Sequence, residues 1–168
     1  MDEPSLFDVL ERHLKNPDEL ELILLKGHLV LEMALNRILV NYIHEAHLSS
    51  LNLMFAKKIE LVAALKEFNQ PIARDELGQL REINRIRNKL AHKLDFAEFH
   101  SDLKKWACDV VGYIPTTIYR RRTYRNTLLK AFYQLCGVLF GMAQGMEPVN
   151  KNLAPAPSRG TICSGHAA

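Results

Sequence analysis

Apolar residues recur every three or four positions along most of this chain, the spacing that gathers them on one face of a helix, and no stretch alternates as a strand would. The pattern predicts a short first helix over Ser5–Leu14, with Leu6, Phe7, Leu10 and Leu14 on its apolar side. Asn16 reads as an N-cap with Pro17 at the first helical position, opening a second helix that should run to about His47. The middle of that helix, Leu20 to Ile43, is apolar around most of its circumference, which predicts the central and most buried element. A break at Leu48-Ser49-Ser50 precedes a third helix over Asn52–Phe68, and Asn69-Gln70-Pro71 should turn the chain into a fourth over Arg74–Leu94. A fifth helix is expected from Phe96 or Glu98 to Val111, stopped by Gly112 and Pro115, and a last one from Ile118 or Thr123 to Met142. The expected product is an all-α antiparallel bundle of five or six helices within residues 1–145. Residues 146–168, rich in Pro, Ser and Gly and without periodicity, are expected to form a disordered tail.

Composition narrows the class. The chain has 168 residues, the size of one domain, and is 48% hydrophobic and 24% charged, enough apolar material for a core. No apolar run reaches the about 18 residues of a membrane-spanning helix. The acidic N-terminus lacks the apolar region of a signal peptide, so a cytoplasmic location without membrane association is expected. Cys108, Cys136 and Cys163 are odd in number and lack metal-ligand spacing, so neither a disulfide framework nor a zinc site is expected. His44 and His47, three apart without a matching carboxylate or thiol, read as surface residues. Charge is uneven: residues 1–70 carry 7 Lys/Arg and 11 Asp/Glu, whereas residues 71–168 carry 15 and 8. A basic second half fits an anionic partner such as nucleic acid, or a solvated basic face.

The fourth helix carries the most informative segment, Arg81 to Lys93. At about 100° per residue, Ile83, Ile86, Leu90 and Leu94 share one stripe, while Arg81, Arg85, Asn88 and His92 fall on the opposite side. Arg87 lies on the flank of the apolar stripe, where a guanidinium must be paired or line a cleft. Such a polar stripe can be a solvated face. Here it also sets a group that titrates near neutrality one turn from an amide, amid permanent cations.

Arg87-Asn88-Lys89-Leu90-Ala91-His92 resembles the signature of the HEPN superfamily (higher eukaryotes and prokaryotes nucleotide-binding), an Arg, four to six further residues and a His, with Asn, Asp or His usual after the Arg. The resemblance covers roughly residues 5–142 and implies a helical bundle that pairs as a homodimer with its motif helices facing. Many members are metal-independent endoribonucleases of toxin–antitoxin modules or antiviral defence. Others have lost the motif and act as scaffolds or binding modules. Some family toxins carry a Tyr shortly after the motif His that a partner enzyme modifies with AMP. Here Lys93-Leu94-Asp95-Phe96 follows, a departure from that pattern, since no Tyr stands among these residues.

Arg87, Asn88 and His92 are accordingly the expected catalytic set, without metal or cofactor. RNA supplies its own nucleophile, the 2′-OH; His92 can move protons, Arg87 can clamp phosphate oxygens, and Asn88 can orient the imidazole or bind substrate. One imidazole cannot easily be base and acid together, and two copies across a dimer would supply both. Arg85, Lys89 and Lys93 beside the motif are expected to contact RNA. So is a second basic cluster, Arg120, Arg121, Arg122 and Arg125, interleaved with Tyr119 and Tyr124, although a charged interhelix connection would look the same. Glu32, inside the apolar run Leu29–Leu35, is expected to hold Arg87, or else to face solvent on a less buried edge. RNA, a second copy and an antitoxin or regulatory protein are the partners implied. The competing readings are a catalytically silent helical module that regulates a protein or an operon, and a nucleotide-binding domain without hydrolysis.

Overall fold

A computed structural model describes residues 19–43, 45–69, 71–92 and 99–145. Within them the chain forms six α-helices and one 3-10 turn, with no strand. These are α1 (Leu20–Leu39), α2 (Glu45–Ser50), α3 (Phe55–Ala63), the turn Lys66–Asn69, α4 (Pro71–His92), α5 (His100–Val111) and α6 (Arg121–Gly145). The all-helical architecture is the one the periodicity demands. The expected helix over Ser5–Leu14, the Asn16-Pro17 cap and the tail over 146–168 lie outside the described residues.

Several boundaries differ from the sequence expectation. The long helix reaching His47 is two elements, because α1 stops at Leu39 and α2 begins at Glu45. Val40, Asn41, Tyr42 and Ile43 are all modest helix formers. There the backbone tightens, with Asn41 N–H bonding Ile38 O and Tyr42 N–H bonding Leu39 O. The Asn41 amide then donates to the Ala143 carbonyl at 3.1 Å, fixing this turn to the end of α6. The break expected at Leu48-Ser49-Ser50 is instead the last turn of α2, and the chain reverses at Asn52, whose φ of 43° is left-handed. Asparagine is among the few side chains that tolerate that conformation. Consequently α3 starts at Phe55 rather than Asn52. Pro71 opens α4 instead of ending a turn before it, the position where its missing N–H costs nothing. α5 starts at His100 and stops at Gly112, which takes a φ of 77° and donates to Cys108 O at 2.9 Å.

α1 packs along α6 and against α3, and α5 lies between α4 and α6. Where α1 meets α6, Gly27 faces the ring of Phe132, and a Cβ at Gly27 would come within 2.6 Å of that ring. Phe132 is itself held under Trp106, with ring centroids 5.0 Å apart. The Trp106 indole N–H donates to the Gln79 carbonyl of α4 at 3.0 Å, so one aromatic pair links four helices, α1, α4, α5 and α6. α1 is not buried all round, however. Leu22, Leu25, Leu29 and Met33 form an exposed apolar stripe along it, Leu29 being 60% exposed. No helix among the described residues is long and apolar enough to cross a membrane.

Candidate functional site

Ile83 and Ile86 are fully buried and Leu90 is partly buried, so α4 presents the expected stripe to the core. That orientation leaves Arg81, Arg85 and Asn88 exposed and sets Arg87 half-buried on the flank. The Arg87 guanidinium donates from Nη1 to Asn88 Oδ1 at 3.1 Å. His92 closes α4, one turn beyond Asn88. Its side chain, and Lys93 entirely, lie outside what is described.

The carboxylate expected on Arg87 is engaged elsewhere. Glu32 accepts a hydrogen bond from the buried Lys58 ammonium of α3 at 2.6 Å. No ion pair joins Glu32 to Arg87 among the described residues. Lys58 did not stand out from the sequence, where it is one of two adjacent lysines on a short helix. Only the packing of α3 on α1 decides that its ammonium turns inward.

His28, one turn before Glu32 on α1, also went unremarked in the sequence. It is 6% exposed, its ring lies against Phe55 with centroids 4.1 Å apart and planes tilted by 38°, and its Nε2–H donates to Asn84 Oδ1 of α4 at 3.3 Å. Burial pushes its imidazole below the ordinary 6.5. The Asn84 hydrogen bond opposes that, the nearby Arg87 charge adds to it, and Glu32 opposes it more weakly. The His28–Asn84 and Glu32–Lys58 contacts thus set polar groups between α1, α3 and α4, near enough to Arg87 for its charge to act on His28. The signal for His28 was a lone imidazole inside an apolar run, which is uninformative until its neighbours are known.

The other motif cations are partly neutralised. Arg85 forms a bidentate contact with Glu82 on its own helix, and its Nη2 reaches Asp102 of α5 at 3.1 Å. Lys89 meets the same Asp102 carboxylate at 3.3 Å. Burial alone would raise the Asp102 carboxyl, but hydrogen bonds from Arg85 and Lys89 outweigh it and hold the group below its usual range.

The second basic cluster lies across α5. Asp102 and Lys104 are two residues apart, about 200° around the helix, so one faces α4 and the other faces α6. Arg120, Arg121 and Arg122 are exposed at the start of α6, and Arg125 is half-exposed with Nη1 3.5 Å from Asn126 Oδ1. Arg121 lines a cleft of about 660 Å³ that also takes in Glu19, Glu21, His100, Lys104, Tyr119 and Tyr124. Of the expected RNA-contacting residues that are described, Arg85 and Lys89 thus lie on α4, facing Asp102 of α5, and Arg120, Arg121, Arg122 and Arg125 lie at the start of α6. Comparison of the chain with protein-family models, with curated proteins and with solved structures finds no match.

Proposed function

We propose that this protein is a metal-independent endoribonuclease of the toxin–antitoxin or antiviral-defence kind, working as a homodimer on RNA. The observation that supports the reading most is the state of Arg87. It is half-buried on the flank of α4, its guanidinium is oriented by Asn88, and it has no ion pair among the described residues. A guanidinium held in this way keeps N–H donors for phosphate oxygens, unlike Arg85, which its carboxylates already occupy.

In the proposed reaction the 2′-OH attacks the adjacent phosphorus while His92 of one copy takes its proton. His92 of the second copy protonates the leaving 5′-oxygen, and Arg87 stabilises the charge that builds on the non-bridging oxygens. The products are a 2′,3′-cyclic phosphate and a 5′-OH. Purified protein should cut single-stranded RNA in EDTA and should leave DNA, which lacks the 2′-OH, intact. Equal cutting of DNA, or undiminished cutting by His92→Ala, would sink the mechanism.

The second reading, a catalytically silent module that acts through protein partners, is favoured by one observation. The exposed stripe Leu22, Leu25, Leu29 and Met33 borders a groove of about 330 Å³ on α1, a surface with the pattern of a helix-docking face. Absence of nuclease activity together with saturable binding of a protein partner that Leu29→Lys abolishes would favour it.

A further inference from the structure

The cleft between the start of α1, α5 and the start of α6 has features that core packing does not account for. Tyr119 is 87% exposed, so its ring buries almost nothing in the fold. The Lys104 ammonium sits 5.4 Å from the Tyr119 ring centroid and 5.2 Å from that of Tyr124, and among the described residues it rests on these aromatic faces rather than on a carboxylate. Glu19 and Glu21 line the same cleft, yet neither forms an ion pair with Lys104. Lys58, Arg85 and Lys89, by contrast, all rest on carboxylates. Tyr124 is buried, with an edge-on contact to His100 and its hydroxyl 3.5 Å from the His100 carbonyl, and it forms part of the cleft wall. The volume, about 660 Å³, falls in the range of about 300–1,000 Å³ typical of small-ligand sites.

We propose that this cleft seats one unpaired nucleotide, its base stacked on Tyr119 and its phosphate met by the Lys104 ammonium. A flat, exposed phenol ring beside a cation that forms no ion pair among the described residues matches the two recurrent needs of single-stranded nucleic-acid binding, a π-face and a positive charge. The two glutamates oppose simple anion binding, so stacking carries the affinity and inorganic phosphate alone is a poor ligand. The chemistry is shared by a free nucleoside monophosphate and by one residue of an RNA strand. Only the second source rests on the ribonuclease reading.

The test is binding rather than cleavage, so that the two readings can fail separately. AMP is titrated by calorimetry. A fluorescein-labelled ten-nucleotide RNA with 2′-fluoro riboses, which cannot attack its own phosphates, is titrated by anisotropy. Tyr119→Ala should weaken binding about 5- to 100-fold, and Tyr119→Trp should keep or improve it. Lys104→Gln should weaken binding and flatten its salt dependence by about one phosphate contact. Tyr119-dependent binding of AMP identifies a free-nucleotide site, and Tyr119-dependent binding of the oligonucleotide alone identifies a strand site; either supports the proposal. It is overturned if neither probe binds at millimolar concentration, if Tyr119→Ala binds like the parent, or if polyglutamate displaces the RNA as well as unlabelled RNA does. Protein that binds in this way but never cuts RNA would refute the ribonuclease reading and leave this one standing.

Discussion

Glu32 and Lys58 meet at 2.6 Å between α1 and α3, with 28% and 10% of their side chains accessible. This contact takes the carboxylate inside the apolar run Leu29–Leu35 away from Arg87 and leaves that guanidinium for other work. An ion pair this sheltered gains from its neighbours' low polarity but has already lost most of its hydration, so removing one partner costs more than the pair is worth. Lys58→Ala should therefore destabilise the fold by about 1–3 kcal/mol. Lys58→Met combined with Glu32→Gln should cost less than the sum of the two single changes. Urea unfolding of the parent, Lys58→Met, Glu32→Gln and the double variant measures this, and strict additivity would show that the pair is uncoupled.

Arg85 and Arg87 differ in their engagement, and cleavage assays should reflect it. Arg87→Ala should lower the rate of RNA cleavage about 10²- to 10³-fold by removing phosphorane stabilisation. His92→Ala should lower it about 10²- to 10⁴-fold. Arg85→Ala, which removes a cation already held by Glu82 and Asp102, should change it less than about tenfold. The ordering is checked by single-turnover rates at saturating protein. Arg85→Ala matching Arg87→Ala would contradict it.

Two kinds of glycine make opposite forecasts. A methyl at Gly27 would run into the Phe132 ring at 2.6 Å, and Trp106 blocks that ring's retreat. Gly27→Ala should destabilise by about 1–3 kcal/mol through overpacking. Gly137, on an exposed face of α6, has nothing within 4 Å of a built Cβ. Gly137→Ala should stabilise by about 0.5–1 kcal/mol, the gain in helix propensity. Thermal melts of both variants measure the contrast, which fails if the two shifts share a sign.

Stability should also carry a pH signature from His28. Burial holds its folded pKa below the 6.5 of an ordinary imidazole, so the unfolded chain binds the proton more readily. The stability this neutral histidine contributes is complete above about pH 6.5 and is lost as pH falls from there through the depressed folded value. His100, also lowered by burial and by Lys104, tilts the curve in the same direction. The difference between the parent and His28→Gln, from urea unfolding at intervals between about pH 5 and 8, isolates the His28 share. An imidazole titrating at or above 6.5 by NMR would refute the assignment.

Much of the architecture was legible in the residues. The three-to-four spacing announced helices, Gly112 marked the end of α5, and Ile83, Ile86 and Leu90 predicted which face of α4 turns inward. The half-buried place of Arg87 follows from the same periodicity, since a residue on the flank of an apolar stripe sits at the edge of the core. Breaks without glycine or proline were harder to see. Val40 to Ile43 reads as more helix, and the turn there is held by the distant Ala143 carbonyl through Asn41.

What belongs to the sequence alone, then, is periodicity: which stretches coil, which side of each faces the core, and where Arg87, Asn88 and His92 fall along one helix. Pairing belongs to the tertiary structure. That Lys58 rather than Arg87 holds Glu32, that Asp102 ties down Arg85 and Lys89, and that His28 reaches Asn84 are contacts between residues 13 to 56 positions apart. A helix repeat sets directions within one element, but the neighbour met in each direction depends on how whole helices dock, and docking is decided by packing shape summed over the entire core.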